Sequence, residues 1–275
     1  MEHYKLLDLR SEPFSTSPDP SFFYYSREHR ECMNRLEIAI RLRRGLSVIL
    51  GDVGTGKTTI SRLLIQKFAK EKSSFVVRLI LDPTFKSEFE FIRSLTTSFG
   101  IETSARSSFE HKNELQKYLL HKGVKEKKIV ILIIDEGQKL TPTYIEVLRT
   151  LLNYETNEYK LLQLVIFAQP EFLQKMRRQP NFLDRITMGH VINPLNEEDT
   201  VGLINYRLKQ AGLNSKRTLF TEKALKQIYI QSRGFPRRIT LLCNDALIAM
   251  LRSDKKIVDE KLVLSLAREE VFWNV

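Results

Sequence analysis

Gly51-Asp52-Val53-Gly54-Thr55-Gly56-Lys57-Thr58 fits the pattern GxxxxGK[ST] without a gap. An apolar run at 46–50 precedes it, and a helical pattern from 58 to about 72 follows. The motif therefore has the strand–loop–helix setting that a phosphate-binding loop requires. Gly51, Gly54 and Gly56 let the backbone curl so that successive N–H groups point inward at phosphate oxygens, and the next helix adds its positive end. Lys57 brings a fixed charge to the β- and γ-phosphates, the Thr58 hydroxyl is a ligand for Mg²⁺, and Thr59 continues the first turn. Residues 51–59 are thus the expected contacts of a nucleoside triphosphate.

A second run, 129–134 (IVILII), delivers Asp135 and Glu136 at its C-terminal end, the end where ligands bind in open parallel sheets. Asp135 suits a direct or water-mediated Mg²⁺ partner. Glu136 suits a base that polarises a water for attack on the γ-phosphate. Gln169 stands at the tip of a third apolar run, 161–168, where its amide can touch the γ-phosphate or orient the water; a turn residue before Pro170 is the competing reading. Gly234-Phe235-Pro236-Arg237-Arg238 opens a helix, since Pro is favoured at a helix start, and either arginine can project toward phosphate. Arg185 precedes the last strand, placed to reach a neighbouring subunit's nucleotide, with Arg177 and Arg178 as competitors.

The 275 residues suffice for one large α/β domain with an appendage, or for two domains. Hydrophobic residues make up 42% and charged residues 28%, ordinary for a globular chain. No apolar run approaches a membrane span, and the N-terminus lacks the apolar stretch of a signal peptide. Cys32 and Cys243 lack metal-ligand spacing and read as buried thiols, so the cytoplasm is the expected location. The net charge is +11 and the sequence pI about 9.6, which favours anionic partners. Residues 197–275 hold 14 Lys+Arg against 10 Asp+Glu, a net +4, and the other +7 lies upstream. The basic clusters are Arg41/Arg43/Arg44, Lys125/Lys127/Lys128, Lys175/Arg177/Arg178 and Lys255/Lys256; each is a candidate DNA contact or a solvated face.

Residues 1–26, rich in Pro and aromatics, read as an extended arm with turns rather than a helix, packed on the body through Phe22, Phe23, Tyr24 and Tyr25. Ser26 caps a helix over 27–44. Apolar runs at 46–50, 75–81, 129–134, 161–168 and 189–192 then alternate with helical patterns, which means a parallel sheet covered on both faces. From Glu197 the pattern is helical only: 197–211, 221–232, 236–251 and 259–269, with Asn196, Thr221 and Asp259 as caps. The expected organisation is an arm (1–26), a P-loop α/β ATPase domain (27–195) and a small all-helical domain (196–275).

Several features in this order resemble one family over nearly the whole chain. They are Pro13-Phe14, Pro18-Asp19-Pro20 with Tyr24 and Tyr25, and His29; then the phosphate loop, Ile134-Asp135-Glu136-Gly137-Gln138, Gln169-Pro170-Glu171, Arg185-Ile186, Pro194-Leu195 and Gly234-Phe235-Pro236-Arg237. The chain looks like the AAA+ ATPase domain of general secretion pathway protein A, the ExeA type. Related chains include transposition ATPases of the TniB and MuB type, and ATPases encoded beside exosortase loci. The resemblance implies an AAA+ fold: a five-stranded parallel sheet in order 5-1-4-3-2, flanked by helices, and a helical lid. It implies Gln169 as the sensor on the fourth strand, Arg237 as the lid sensor, Arg185 as the arginine finger, and the aromatic arm near adenine. The family's usual Asp-Glu-Ala-Gln reads Asp135-Glu136-Gly137-Gln138 here, a minor departure. The transmembrane segment and peptidoglycan-binding domain of the secretion proteins do not appear, and the chain reads as ending with the lid.

The expectation is an ATPase that binds ATP and Mg²⁺, works as a homo-oligomer and passes its nucleotide state to a protein partner. The alternative is a nucleotide-dependent protein that binds duplex DNA and recruits a transposase or recombinase.

Overall fold

The computed structural model describes residues 3–16, 19–214 and 217–269; Pro18 of the arm pattern and residues 270–275 of the C-terminal region lie outside them. The chain forms two compact units, one built from residues 30–53 and 60–192, the other from 1–29, 54–59 and 193–275.

The first unit holds the sheet. Five of six residues are buried in β3 (Ile129–Ile134), as are all seven in β4 (Leu162–Ala168). Side chains alternate across a strand, so strands buried along their whole length need cover on both faces. Each Ile or Leu taken fully out of water there contributes about 1.5–3 kcal/mol. With β1 (Leu46–Gly51), β2 (Phe75–Ile80) and β5 (Ile186–Ile192), these strands form one parallel sheet in order β2-β3-β4-β1-β5, the expected order read from the other edge. Leu50 is opposite Ala168, and Ile134 is opposite Ile166, so β1, β3 and β4 end along one margin of the sheet.

β5 begins at Ile186 rather than at 189. It is an edge strand with alternating exposure, and Thr187 and His190 interrupt the apolar run that marks the central strands. In α2 (Lys57–Ala69), Ile60, Leu64 and Phe68 are buried at i, i+4, i+8 spacing. Of the remaining helices, α1 (Arg27–Arg41) is shorter than the expected 27–44. α3 (Glu88–Ser98) is capped by Ser87, and α4 (Ser108–Leu120) by a reciprocal Ser107–Glu110 box. α4 then continues as one π-helical turn, His121–Lys125. α5 (Pro142–Leu152) follows β3, and α6 (Phe172–Arg177) follows β4. The short α7 (Pro180–Leu183) has no counterpart in the sequence reading, because four residues hold no periodicity.

In the second unit, α8 (Glu197–Gln210), α9 (Glu222–Ser232), α10 (Pro236–Arg252) and α11 (Glu260–Glu269) enclose a core that includes Ile204, Ile228, Ile239 and Leu247. The three expected caps are in place. Asn196 accepts from Asp199 N–H (2.7 Å), Thr221 from Ala224 N–H (3.1 Å) and Asp259 from Leu262 N–H (2.8 Å). The arm joins this core. Phe14 is 1% exposed and meets Phe220 edge-on at 6.1 Å, and Arg10 N–H donates to Ala211 O at 2.7 Å. The arm is not wholly extended, however, since His3–Leu7 and Pro20–Phe22 form 3₁₀ turns. The second is set by Asp19, which accepts from Ser21 N–H (2.8 Å), with Pro20 at the first position. Both cysteines are buried and neither forms a disulfide, and burial pushes the Cys243 thiol up.

Candidate nucleotide-binding residues

In the helical unit, the segment Gly54–Thr59 carries the turn geometry of the motif. Gly54 and Gly56 have φ of +84° and +98°, a region that other L-residues enter only with strain. A loop whose N–H groups turn inward turns its carbonyls outward, and those need donors. Two are present in this unit. Arg237 N–H, at the start of α10, donates to Gly54 O at 3.4 Å, and the His29 ring lies 3.0 Å from Thr55 O through Nε2. Ser26 Oγ stands 2.9 Å from the other ring nitrogen and also accepts from His29 N–H. A carbonyl only accepts, so Nε2 carries the proton and Nδ1 accepts from the Ser26 hydroxyl. The Phe23 ring lies 4.9 Å from the His29 ring. Thr55 is 1% and Lys57 8% exposed, while Thr58 and Thr59 are half-buried.

α10 begins where Gly234 permits it. Gly234 has φ +73°, and a Cβ there would sit 1.9 Å from Leu195 O; Leu195 N–H also donates to Gly234 O at 2.8 Å. The two arginines separate here. Arg237 lies with its Cβ against Gly54, whereas the Arg238 guanidinium stacks on Phe235 at 5.0 Å. In the aromatic arm, Tyr24 OH donates to Asp199 at 3.1 Å, and Tyr206 OH donates to Ser21 O at 3.1 Å.

In the α/β unit, Gly51 ends β1, and Asp52 and Val53 follow it exposed. Asp135 ends β3 nearly buried, at 2% exposure, and accepts from Glu136 N–H at 3.0 Å. Glu136 adopts a left-handed conformation, φ 54° and ψ 38°. Gln138 then bridges two expected site residues: its Nε2 donates to the Glu136 carboxylate, and its Oε1 accepts from Gln169 N–H at 3.0 Å. Lys175 on α6 donates to the carbonyls of Gln138 and, at 3.3 Å, Leu140. Gly137 is not a minor departure. A Cβ there would lie 2.3 Å from Ile166 Cγ2 and 3.2 Å from Ala168 Cβ, so the turn is pressed onto β4 at a depth where an alanine would force the Ile166 side chain to shift. Arg185, before β5, bonds Asn153 Oδ1 (2.5 Å) and Asn181 O (3.1 Å). Arg177 and Arg178 are exposed.

Most of the basic clusters are internally engaged. Arg41 pairs with Glu37 and Glu71. Arg43 stacks on Tyr159 at 4.2 Å and bonds the carbonyls of Gly123 and Lys127. Lys122 and Lys128 flank Glu126 and hold its carboxyl down at about 2, and Lys255 pairs with Asp259. Sequence reading placed His29 and Gln138 only inside longer patterns and gave Lys175 to a basic cluster. A histidine three residues after a capping serine was the signal available for the first. The other two show only once β3, β4 and α6 are in place.

No described helix is long and apolar enough to cross a membrane. Residues 40–176 match the family model for the AAA domain. General secretion pathway protein A of Aeromonas hydrophila is 36% identical over 267 residues, which is 96% of this chain and 47% of that protein. The chain thus spans about half the length of this curated relative. The Aeropyrum pernix ORC2 protein, in ADPNP–ADP complexes, superposes with a TM-score of 0.69 at 15% identity, covering 95% of this chain and 72% of that one. The Aeropyrum pernix ORC1 protein in complex with DNA gives 0.64 at 18% identity, covering 96% and 69%. With its sheet order, its phosphate-loop sequence and these likenesses, the chain carries an AAA domain over residues 40–176 and has the AAA+ P-loop fold, and it is similar over nearly its whole length to general secretion pathway protein A.

Proposed function

We propose that this chain binds and hydrolyses ATP with Mg²⁺, and that turnover drives a conformational or assembly change in a protein partner, as an energy-coupling ATPase of the secretion-related type. The observation that carries the reading is the loop at 51–58, with left-handed Gly54 and Gly56 and with Lys57 and Thr58 in the first turn of a helix. Such a loop fits a phosphate chain: inward N–H groups and a lysine supply positive potential without a side chain in the way. Lys57 would hold the β- and γ-phosphates, and Thr58 and Asp135 would hold the metal, which neutralises charge on the transferred group. Glu136 is the general base. Gln169 and Arg237 are the sensors, and Arg185 serves a neighbouring copy in a homo-oligomer. The domain boundaries proposed for this machine remain 1–26, 27–195 and 196–275.

Lys57→Ala and Glu136→Gln test it together. Lys57→Ala is expected to abolish binding of a fluorescent ATP analogue. Glu136→Gln is expected to bind it normally and to turn over at least about a hundredfold more slowly, the lower range for loss of a general base. Wild-type turnover by Glu136→Gln would remove Glu136 from its role. A second reading, a nucleotide-switched DNA-binding protein that recruits a recombinase, is favoured by the net +11 and by the DNA complex of a structural neighbour.

A further inference from the structure

We propose that Gln138 is a positioning residue for Glu136, tying its carboxylate to the tip of β4 so that displacement of the Gln169 backbone is relayed to the base. The inference rests on the reading of Glu136 as the general base. Amide oxygen and nitrogen are usually assigned by inference, but here a neighbour decides. Gln169 N–H can only donate, so the atom 3.0 Å from it is Gln138 Oε1. The Nε2 group therefore faces Glu136 and donates to its carboxylate.

The amide is held at its backbone as well. Lys175 takes the carbonyls of Gln138 and Leu140, and the missing Cβ at Gly137 lets the turn sit against Ile166 and Ala168. Glu136 enters this turn left-handed, a conformation that strains a non-glycine residue and persists only where the surroundings enforce it. A carboxylate on a short strained turn has few orientations, and a single donated hydrogen bond selects among them. The carbonyl of Gln169 accepts from Phe172 N–H at 3.0 Å, which joins the tip of β4 to α6, the helix that also supplies Lys175. β4, α6 and the turn after β3 thus form one linked set whose output is the direction of the Glu136 carboxylate.

The alternative is that Gln138 merely stitches the turn to β4. Two substitutions distinguish the readings. Gln138→Met keeps length and loses both hydrogen bonds. Gln138→Glu keeps an acceptor for Gln169 N–H and loses the donor to Glu136. Each is made in the wild-type and in the Glu136→Gln background, with ATP turnover, KM, fluorescent-ATP affinity and thermal melting measured. Positioning predicts that both variants lower kcat about ten- to a hundredfold, the scale of an ångström's misplacement. KM and nucleotide affinity stay within about twofold, and neither variant slows the Glu136→Gln protein further, because the effect runs through that carboxylate. If Gln138→Glu retains wild-type kcat while Gln138→Met loses melting temperature, the residue is a stitch and the proposal fails. If both variants slow Glu136→Gln by as much as they slow wild type, the effect bypasses the base and the proposal fails. If Glu136→Gln itself turns over at the wild-type rate, the reading of the base fails first and takes this inference with it.

Discussion

The Nε2–H of His29 donates to the carbonyl oxygen of Thr55 across 3.0 Å, and the Ser26 hydroxyl fixes the tautomer that allows it. His29, in the first turn of α1, therefore holds the outer, carbonyl side of the phosphate loop. Both residues are nearly buried, His29 at 2% and Thr55 at 1% exposure. His29→Phe keeps the ring but removes the donor, which is expected to cost about 1–3 kcal/mol of unmet desolvation at Thr55. ATP-analogue affinity should fall about tenfold and the melting temperature by a few degrees. Unchanged affinity would show that the loop keeps its shape without the His29 bond.

Gly234 and Gly100 offer a controlled contrast. Their φ angles, +73° and +72°, are nearly equal, but an added Cβ meets Leu195 O at 1.9 Å in the first case and nothing within 4 Å in the second. Gly100→Ala should cost only backbone strain, about 1–2 kcal/mol. Gly234→Ala adds a backbone clash of about 1–3 kcal/mol, for a total of about 2–5, and should shift α10 together with Arg237. Thermal melts of the two variants check this. Equal shifts would mean that the start of α10 yields freely.

Arg185 is held within its own chain by Asn153 and Asn181 O. Guanidinium groups anchored in this way keep one direction, a property useful to a group that must meet another subunit's phosphates. Arg185→Ala protein and Lys57→Ala protein are each expected to be inactive, and mixing them is expected to restore part of the turnover, because one interface then joins an intact loop to an intact arginine. A finger supplied in trans is worth about 10³–10⁵ in rate, so even a small mixed population is readable. Co-assembly without recovery would exclude Arg185.

What the sequence made legible follows from where information is local. β3 and β4 were plain because burial on both faces leaves a run that is apolar throughout in β3 and broken only by Gln163 in β4, and Asn196, Thr221 and Asp259 because a cap is read from neighbours along the chain. The start of β5 was hidden because an edge strand alternates. The Gln138 bridge was hidden because its two ends, Glu136 and Gln169, lie just beyond strands that only the fold makes adjacent. The depth of Gly137 against Ile166 was hidden for the same reason: an alanine-to-glycine change along a motif carries no sign of what stands across from it. The charge clusters misled in the other direction. Arg41, Arg43, Lys128 and Lys175 looked like surface charge, yet each is committed to carboxylates, carbonyls or a ring.

That commitment bears on the DNA reading. Of the cluster residues without such a commitment, Arg44, Arg177, Arg178, Lys125, Lys127 and Lys256 remain exposed, too few in one copy for tight binding, since each neutralised phosphate adds only a modest, salt-sensitive increment. An ATP-dependent oligomer would repeat them along a duplex. The second reading therefore expects weak binding without nucleotide, tighter binding with a non-hydrolysable ATP analogue, and an affinity that falls steeply between about 0.05 and 0.2 M salt, as counterion release requires. Fluorescence anisotropy with a labelled duplex at both salts measures all three, and Arg177→Glu/Arg178→Glu should flatten the salt slope. The competing account is that the net +11 attracts an acidic protein partner. No binding at about 0.1 M salt with the analogue present, where charges beyond about 10 Å are screened, would exclude DNA and leave the protein-coupling reading standing.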